Sequence, residues 1–206
     1  MHNENIMTQT GGGAHAGNRS AAAPSGICIE GGLDAVWREI EGDGRMQGPH
    51  RTCDGAHRCR VHVKTFDRLT VHELYALLRT RSEVFIVEQD CVYQDVDDND
   101  QTAIHLWMTC GEKIVAMCRV CPGGTKMEHV SFGRVVTTER GKGYGAVIVE
   151  LAIGAARRFL GRFDRITIES QATKQGFYEK FGFVATTEPF MMEGLPHLNM
   201  VLDMRQ

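Results

Sequence analysis

The chain has 206 residues, 42% of them hydrophobic and 24% charged, which supports one domain with a real core. Its 23 Lys and Arg against 26 Asp and Glu leave a formal charge of -3, excluding the basic footprint of a general nucleic-acid binder. No apolar run reaches the ~18–20 residues that cross a bilayer and no apolar signal segment opens the chain, so a soluble, cytoplasmic protein with no membrane or nucleic-acid partner is expected.

Residues 1–59 read as a leader. The first 26, with Gly11 to Gly13, Ala21 to Ala23 and Pro24, hold almost nothing that can pack and read as disordered. A weak helical pattern over 27–41 (Leu33, Val36, Trp37, Ile40) runs into Gly42, Gly44, Gly48 and Pro49, so any helix there is short. His50, Cys53, His57 and Cys59 are metal-ligand types, but their spacing matches no paired ligand arrangement; they read as a polar linker, with no metal expected. The seven cysteines (Cys28, Cys53, Cys59, Cys91, Cys110, Cys118, Cys121) form no framework and predict reduced thiols.

The domain occupies 60–206. Val61 and Val63 alternate as a strand. Thr70 and Glu73 then form a capping box, and Leu69 with Leu74 can close a hydrophobic staple. A helix is predicted from Thr70 to about Glu88, with the stripe Leu74, Leu77, Leu78, Arg81 and Phe85; the Arg81 stem is expected to snorkel. The acidic stretch Asp95, Asp97, Asp98, Asn99, Asp100 fails as a calcium loop, because Asp100 stands where glycine should turn the chain and Leu106 where the bidentate glutamate should be. It reads as a solvated loop, or as a negative rim attracting a cationic amine.

Strands over 104–110, 113–121 and 127–137, punctuated by Gly111 and by Gly123-Gly124, predict an antiparallel meander. Tyr144, Val147, Ile148, Leu151, Ala155 and Phe159 recur at helical spacing, with Arg157 and Arg158 suiting the helix's negative end and Gly161 its cap. A strand at Ile166 and Ile168, a helix over 174–181, a strand from Phe183 and a last strand alternating Leu198, Met200, Leu202 and Met204 complete the order. That order predicts an α+β layered fold with a β-α-β crossover and Leu74, Phe85, Ile148, Leu151 and Phe181 in its core.

The segment Val135-Val136-Thr137-Thr138-Glu139-Arg140-Gly141-Lys142-Gly143-Tyr144-Gly145-Ala146 lies where a strand ends and the long helix begins. Glycines there permit a tight turn, and the unpaired amides and dipole of a helix start make an anion site suited to a pyrophosphate, with charge from Arg140 and Lys142. A P-loop is excluded by the missing Gly-Lys-Ser/Thr end, and a dinucleotide fingerprint by Ile148 at its third glycine position. The plainer alternative is a turn and nothing more.

Arg140, Gly143 and Gly145 match the Arg/Gln-x-x-Gly-x-Gly/Ala signature, so the segment resembles the GNAT superfamily of acetyl-CoA-dependent N-acyltransferases. The resemblance lengthens at Gln175-Gly176-Phe177-Tyr178-Glu179-Lys180-Phe181-Gly182-Phe183. The stretches from Glu73 to Leu78, Arg81 to Gln89 and Tyr93 to Asp95, with Glu193-Gly194-Leu195-Pro196-His197-Leu198-Asn199-Met200, resemble its ElaA-type branch. It covers about residues 60 to 206 and implies a GNAT fold, a mixed twisted sheet flanked by helices. It further implies direct transfer of an acetyl group from acetyl-CoA to an amine acceptor within a ternary complex, and it allows a homodimer.

By resemblance, Val135 and Val136 offer backbone groups to the thioester and pantetheine, while Arg140, Gly141, Lys142, Gly143, Tyr144, Gly145 and Ala146 hold the pyrophosphate. Tyr178 is either the acid that protonates the departing thiolate or a packed aromatic beside Phe177 and Phe181. No residue identifies itself as the general base among His197, Glu88, His105 and His129, and His197 heads them from its Pro-His position. Glu88, Gln89, His105 and Gln171 are expected around the acceptor. An acyl-cysteine route through Cys91 or Cys118 is the lesser alternative, since direct transfer needs no nucleophile. Two departures from the branch stand out. Gly133-Arg134 lies closer to Arg140, predicting a deletion or shifted bulge in that strand, and Glu169 places a carboxylate where the branch is less charged. An amino-sugar phosphate N-acetyltransferase, marked by pocket arginines that bind the phosphate, and a non-catalytic acyl-CoA-binding regulator remain as alternatives.

Overall fold

The computed structural model describes residues 27–29 and 57–205. The expected leader over 1–26, most of the weak helix, and His50 and Cys53 lie outside the described residues. Ile27–Ile29 itself is a strand, β1, parallel to His57–Thr65 (β2), which corrects the helical reading of those three residues. A four-residue apolar pattern is a weak helical signal, and a ladder partner outweighs it.

Strands β2, β3 (Ile104–Cys110), β4 (Lys113–Cys121) and β5 (Val130–Thr137) form the expected antiparallel meander. Helix α2 (Tyr144–Phe159) then crosses over to β6 (Arg165–Gln171), which pairs parallel with β5. After helix α3 (Gln175–Glu179) come β7 (Val184–Ala185), β8 (Phe190–Met192) and β9 (Leu195–Asp203). The sheet order is β1-β2-β3-β4-β5-β6-β9-β7, with β8 on β9. No helix among the described residues is long and apolar enough to cross a membrane.

Thr70 caps helix α1 (Val71–Arg81) as its spacing requires. The Glu73 amide donates to Thr70 Oγ1 at 3.2 Å and the Thr70 amide to Glu73 Oε2 at 2.9 Å. The chain continues as a π-helical stretch, Ser82–Glu88, a form that recurs beside functional sites. Leu77 and Val84 pack on Trp107, Met117 and Val136, with Phe85 against them. The larger core lies on the other face, where Val147, Ile148, Leu151 and Ala155 of α2 meet Leu106, Val120, Phe132 and Ile166. Phe181 packs on that core, whereas Leu74 is only half-buried.

One cysteine expectation is overturned. Cys59 and Cys110 face each other in the β2–β3 register with Cα atoms 4.5 Å apart, and they form a disulfide. They stand 51 residues apart in sequence, so only strand pairing brings them together. A bridge across such a loop contributes about 2–4 kcal/mol by restricting the unfolded chain. It also removes Cys59 as a metal ligand. Cys91, Cys118 and Cys121 are free and buried.

Candidate active site

Strands β5 and β6 pair only at Val130↔Ile166 and Ser131↔Thr167. Beyond that point they part, leaving the β6-facing backbone edge of Val135 and Val136 without a ladder partner on that side. The glycine loop that follows turns through left-handed backbone at Gly141 (φ 74°) and Gly143 (φ 84°), the latter being the N-cap of α2. A Cβ at Gly141 would meet nothing within 4 Å, and one at Gly145 would meet Phe177 and Thr137 at ordinary contact distances of 3.5 and 3.6 Å. Protein packing therefore does not demand glycine at these two positions, and the cradle lies open. Hydrogen bonding into the loop resumes at Ala146, whose amide donates to the Gly143 carbonyl at 3.0 Å. The amides of Tyr144 and Gly145 open the first turn without intrahelical acceptors and are available to an anion.

This donor set fits an acyl-CoA pyrophosphate. The Tyr144 side chain takes no part, because it is buried in the core with its hydroxyl 3.6 Å from Cys110 Sγ. Lys142 is exposed, and Arg140 carries an ion pair with Glu88 from the end of the π-helical stretch.

Where β5 and β6 separate, a cavity of about 320 Å³ opens, lined among others by Gln89, Val135, Gln171, Tyr178 and His197. Gln171 Nε2 donates to Gln89 Oε1 at 3.3 Å, tying β6 to the chain after α1. His197 Nδ1 lies 2.9 Å from the Leu195 carbonyl. A carbonyl only accepts, so Nδ1 carries a hydrogen, and in the neutral tautomer that this selects Nε2 holds the lone pair. Tyr178 packs edge-on to Phe177 and Phe183 with ring centroids 5.0 and 6.0 Å away. Burial, reinforced by Cys118, pushes its phenol above the ordinary tyrosine range, so it holds its proton at neutral pH.

The acidic stretch is tied to the protein by arginines, with Asp97 in the cavity wall and Asp98 alone of its carboxylates exposed, which corrects the solvated-loop reading. Arg81, 1% exposed, does not snorkel: its Nε donates to Asp95 at 2.9 Å, Nη1 to Asp100 at 2.7 Å and Nη2 to the Asp95 carbonyl at 2.6 Å. Arg119 Nη1 donates to Asp97 at 2.6 Å and lies 3.0 Å from Asp100. Arg134 Nη2 reaches the Asp95 carbonyl at 3.0 Å and Asp97 at 3.2 Å, while its Nε makes a charge contact with Asp95 at 2.8 Å without hydrogen-bond alignment. Burial alone would raise Asp97 and Asp100, but the arginine hydrogen bonds and charges outweigh it and hold both carboxyls below their ordinary value.

Strand β5 carries a bulge. Met117 pairs with Val136 but Arg119 with Gly133, so β5 carries one extra residue, and Arg134 stands there at φ 52°. The bulge aims Arg134 at Asp95 and Asp97.

Of the acceptor candidates, Gln89 and Gln171 meet in the cavity with the base candidate His197, and Glu169 lies beside them. His105 does not line the cavity; it is buried on β3 with Nε2 donating to the Asp100 carbonyl at 2.9 Å, and burial lowers its pKa. Glu88 and His129 likewise lie off the lining. Sequence reading missed Arg119 and Ser131, and placed Asp97 only in a solvated loop or rim. The available signal was Arg119, a charge inside the otherwise buried run of β4, since such a residue demands a partner.

A family model described as an acetyltransferase (GNAT) domain matches residues 67–204. Protein ElaA of Escherichia coli (strain K12) is 34% identical over 143 residues, spanning 67% of this chain and 92% of that protein. Among solved structures, an acyl-CoA N-acyltransferase from Pseudomonas aeruginosa is 36% identical with a TM-score of 0.64, covering 69% of this chain and 98% of that one. The crystal structure of Escherichia coli ElaA is similar at 32% identity and a TM-score of 0.64, with the same coverage.

Proposed function

Since the chain belongs to the GNAT acetyltransferase family, we propose that it transfers an acetyl group from acetyl-CoA to an amine by direct attack within a ternary complex. One observation carries the reading: the parting of β5 from β6 gathers the free backbone of Val135, the Tyr178 phenol and the His197 lone pair around one cavity beside an open glycine cradle. Bound acyl-CoA supplies the acyl group already activated as a thioester.

His197 Nε2 accepts the proton that the amine must lose, either before attack or as the nitrogen–carbon bond forms. Backbone amides beside Val135 face the thioester oxygen as it gains charge. As the carbon–sulfur bond breaks, the Tyr178 hydroxyl donates to the departing sulfur; solvent then restores its proton and relieves His197 of the one it took. A phenol held above its normal range is a poor match for a thiol of pKa about 8.5, so Tyr178 acts mainly as a hydrogen-bond donor completing transfer late. The cradle holds the pyrophosphate on the amides of residues 140–145; Ala146, expected among them, spends its amide on the Gly143 carbonyl. The amino-sugar phosphate alternative needs pocket arginines free for a phosphate, and Arg119 and Arg134 are both engaged by aspartates.

The test measures thiol release from acetyl-CoA with a panel of primary amines and the mass gain of the amine. Tyr178→Phe is expected to lower kcat about 100-fold with acetyl-CoA affinity unchanged within twofold. His197→Gln should lower kcat/KM for the amine while leaving acetyl-CoA affinity unchanged. Acetyl-CoA binding without transfer to any amine would overturn the reading in favour of an acyl-CoA-binding regulator.

A further inference from the structure

Ser131 is 2% exposed, lines the acceptor cavity, and its Oγ has no hydrogen-bond partner. A hydroxyl taken out of water without a partner is an unfavourable arrangement that a ligand can relieve. Its register neighbours are Cys121 on β4 and Thr167 on β6. Burial raises the Cys121 thiol above its ordinary value, so that neighbour is uncharged, and Thr167 Oγ1 is a second buried hydroxyl without a partner. Ser131 therefore stands in a short strip of neutral hydrogen-bonding groups.

The buried charges around this strip are already matched. Arg119 is held by Asp97 and Asp100, Arg134 by Asp95 and Asp97, and Lys126 lies 3.2 Å from Glu169. With Arg81, the wall sets three arginines against three aspartates. A phosphate or carboxylate entering here would lie against Asp97, and Arg119 or Arg134 could reach it only by leaving buried partners; Lys174 and Glu193, the other charges of the lining, are exposed. A hydroxyl or carboxamide meets neither cost.

We infer that the acceptor is an amine whose tail carries an uncharged hydrogen-bonding group, a hydroxyl or a carboxamide, and that Ser131 reads that group at the inner end of the cavity. This rests on the acyl-transfer reading above. Ser131 is a specificity residue here, and its hydroxyl both donates and accepts, as such a tail requires. A site built to hydrogen-bond a substrate group discriminates against the analogue that lacks it.

The experiment uses the full chain with acetyl-CoA and three matched amine series: ω-amino alcohols of two to six carbons, n-alkylamines of equal heavy-atom count, and the phosphate esters of the alcohols. At the best length the alcohol is expected to exceed the alkylamine in kcat/KM about tenfold, with the phosphate ester below both. Ser131→Ala should remove that tenfold preference while leaving the alkylamine rate, the acetyl-CoA KM and the melting temperature unchanged. Equal loss for alcohol and alkylamine, no preference in the wild type, or preference for the phosphate ester overturns the inference. Transfer to none of the amines despite acetyl-CoA binding overturns the acyl-transfer reading itself, and this inference with it.

Discussion

Replacing Gly143 by Asp is expected to weaken acetyl-CoA binding at least 100-fold, about 2.7 kcal/mol, in a calorimetric titration. Gly143 is the N-cap of α2 at φ 84°, a left-handed conformation that costs most residues about 1–2 kcal/mol and that aspartate tolerates better than most. The helix should therefore survive, which the far-ultraviolet dichroism checks. What changes is the cradle: a carboxylate placed among the open amides of the first turn satisfies them itself and repels a pyrophosphate. Lys142→Glu is the milder companion, expected to cost about tenfold because Lys142 is exposed and its charge is screened by salt. Full affinity in the folded Gly143→Asp variant would place the anion site elsewhere.

Arg81→Met is expected to destabilise the fold by about 3–5 kcal/mol, read as a lowered midpoint in urea at unchanged slope. Removing the guanidinium leaves Asp95 and Asp100 buried with only part of their counter-charge, and it takes from the Asp95 carbonyl the shorter of its two donors. Arg79→Ala, two residues earlier, removes an exposed i,i+4 pair with Glu83 and should cost no more than about 0.5 kcal/mol. Acid titration gives a second readout. Asp97 and Asp100 have folded-state pKa values below their unfolded value near 4, so their contribution is present above that pH and is lost as pH falls through the folded values. With Arg81 gone, Asp100 loses its strongest partner and its folded pKa rises, so acid unfolding should begin at higher pH. A variant as stable as the wild type would mean that the aspartates find other partners.

The local elements were legible because their determinants are local. Thr70 and Glu73 marked a helix start through a hydrogen-bond exchange that spans three residues, and the β3 and β4 boundaries followed from alternation between glycine turns. The glycine loop was legible for the same reason, since positive φ at Gly141 and Gly143 is a property of the backbone alone. By contrast, the β8 strand and the turn at Glu193 and Gly194 after it went unread, because three residues carry too little periodicity.

The amino-acid sequence by itself determined the family, the GNAT architecture and the turn of the glycine loop, each fixed by residues that are close together along the chain. Tertiary structure alone decided the rest. Asp95, Asp97 and Asp100 look solvated until α1, β4 and β5 bring Arg81, Arg119 and Arg134 to them from separate elements. Cys59 and Cys110 become a pair only in the β2–β3 register. His197 acquires a free Nε2 in a cavity, while His105 becomes a core hydrogen bond, although histidine is the same titratable group in both places. Burial and charge pairing are sums over neighbours distant in sequence, and no local pattern records which neighbours those will be.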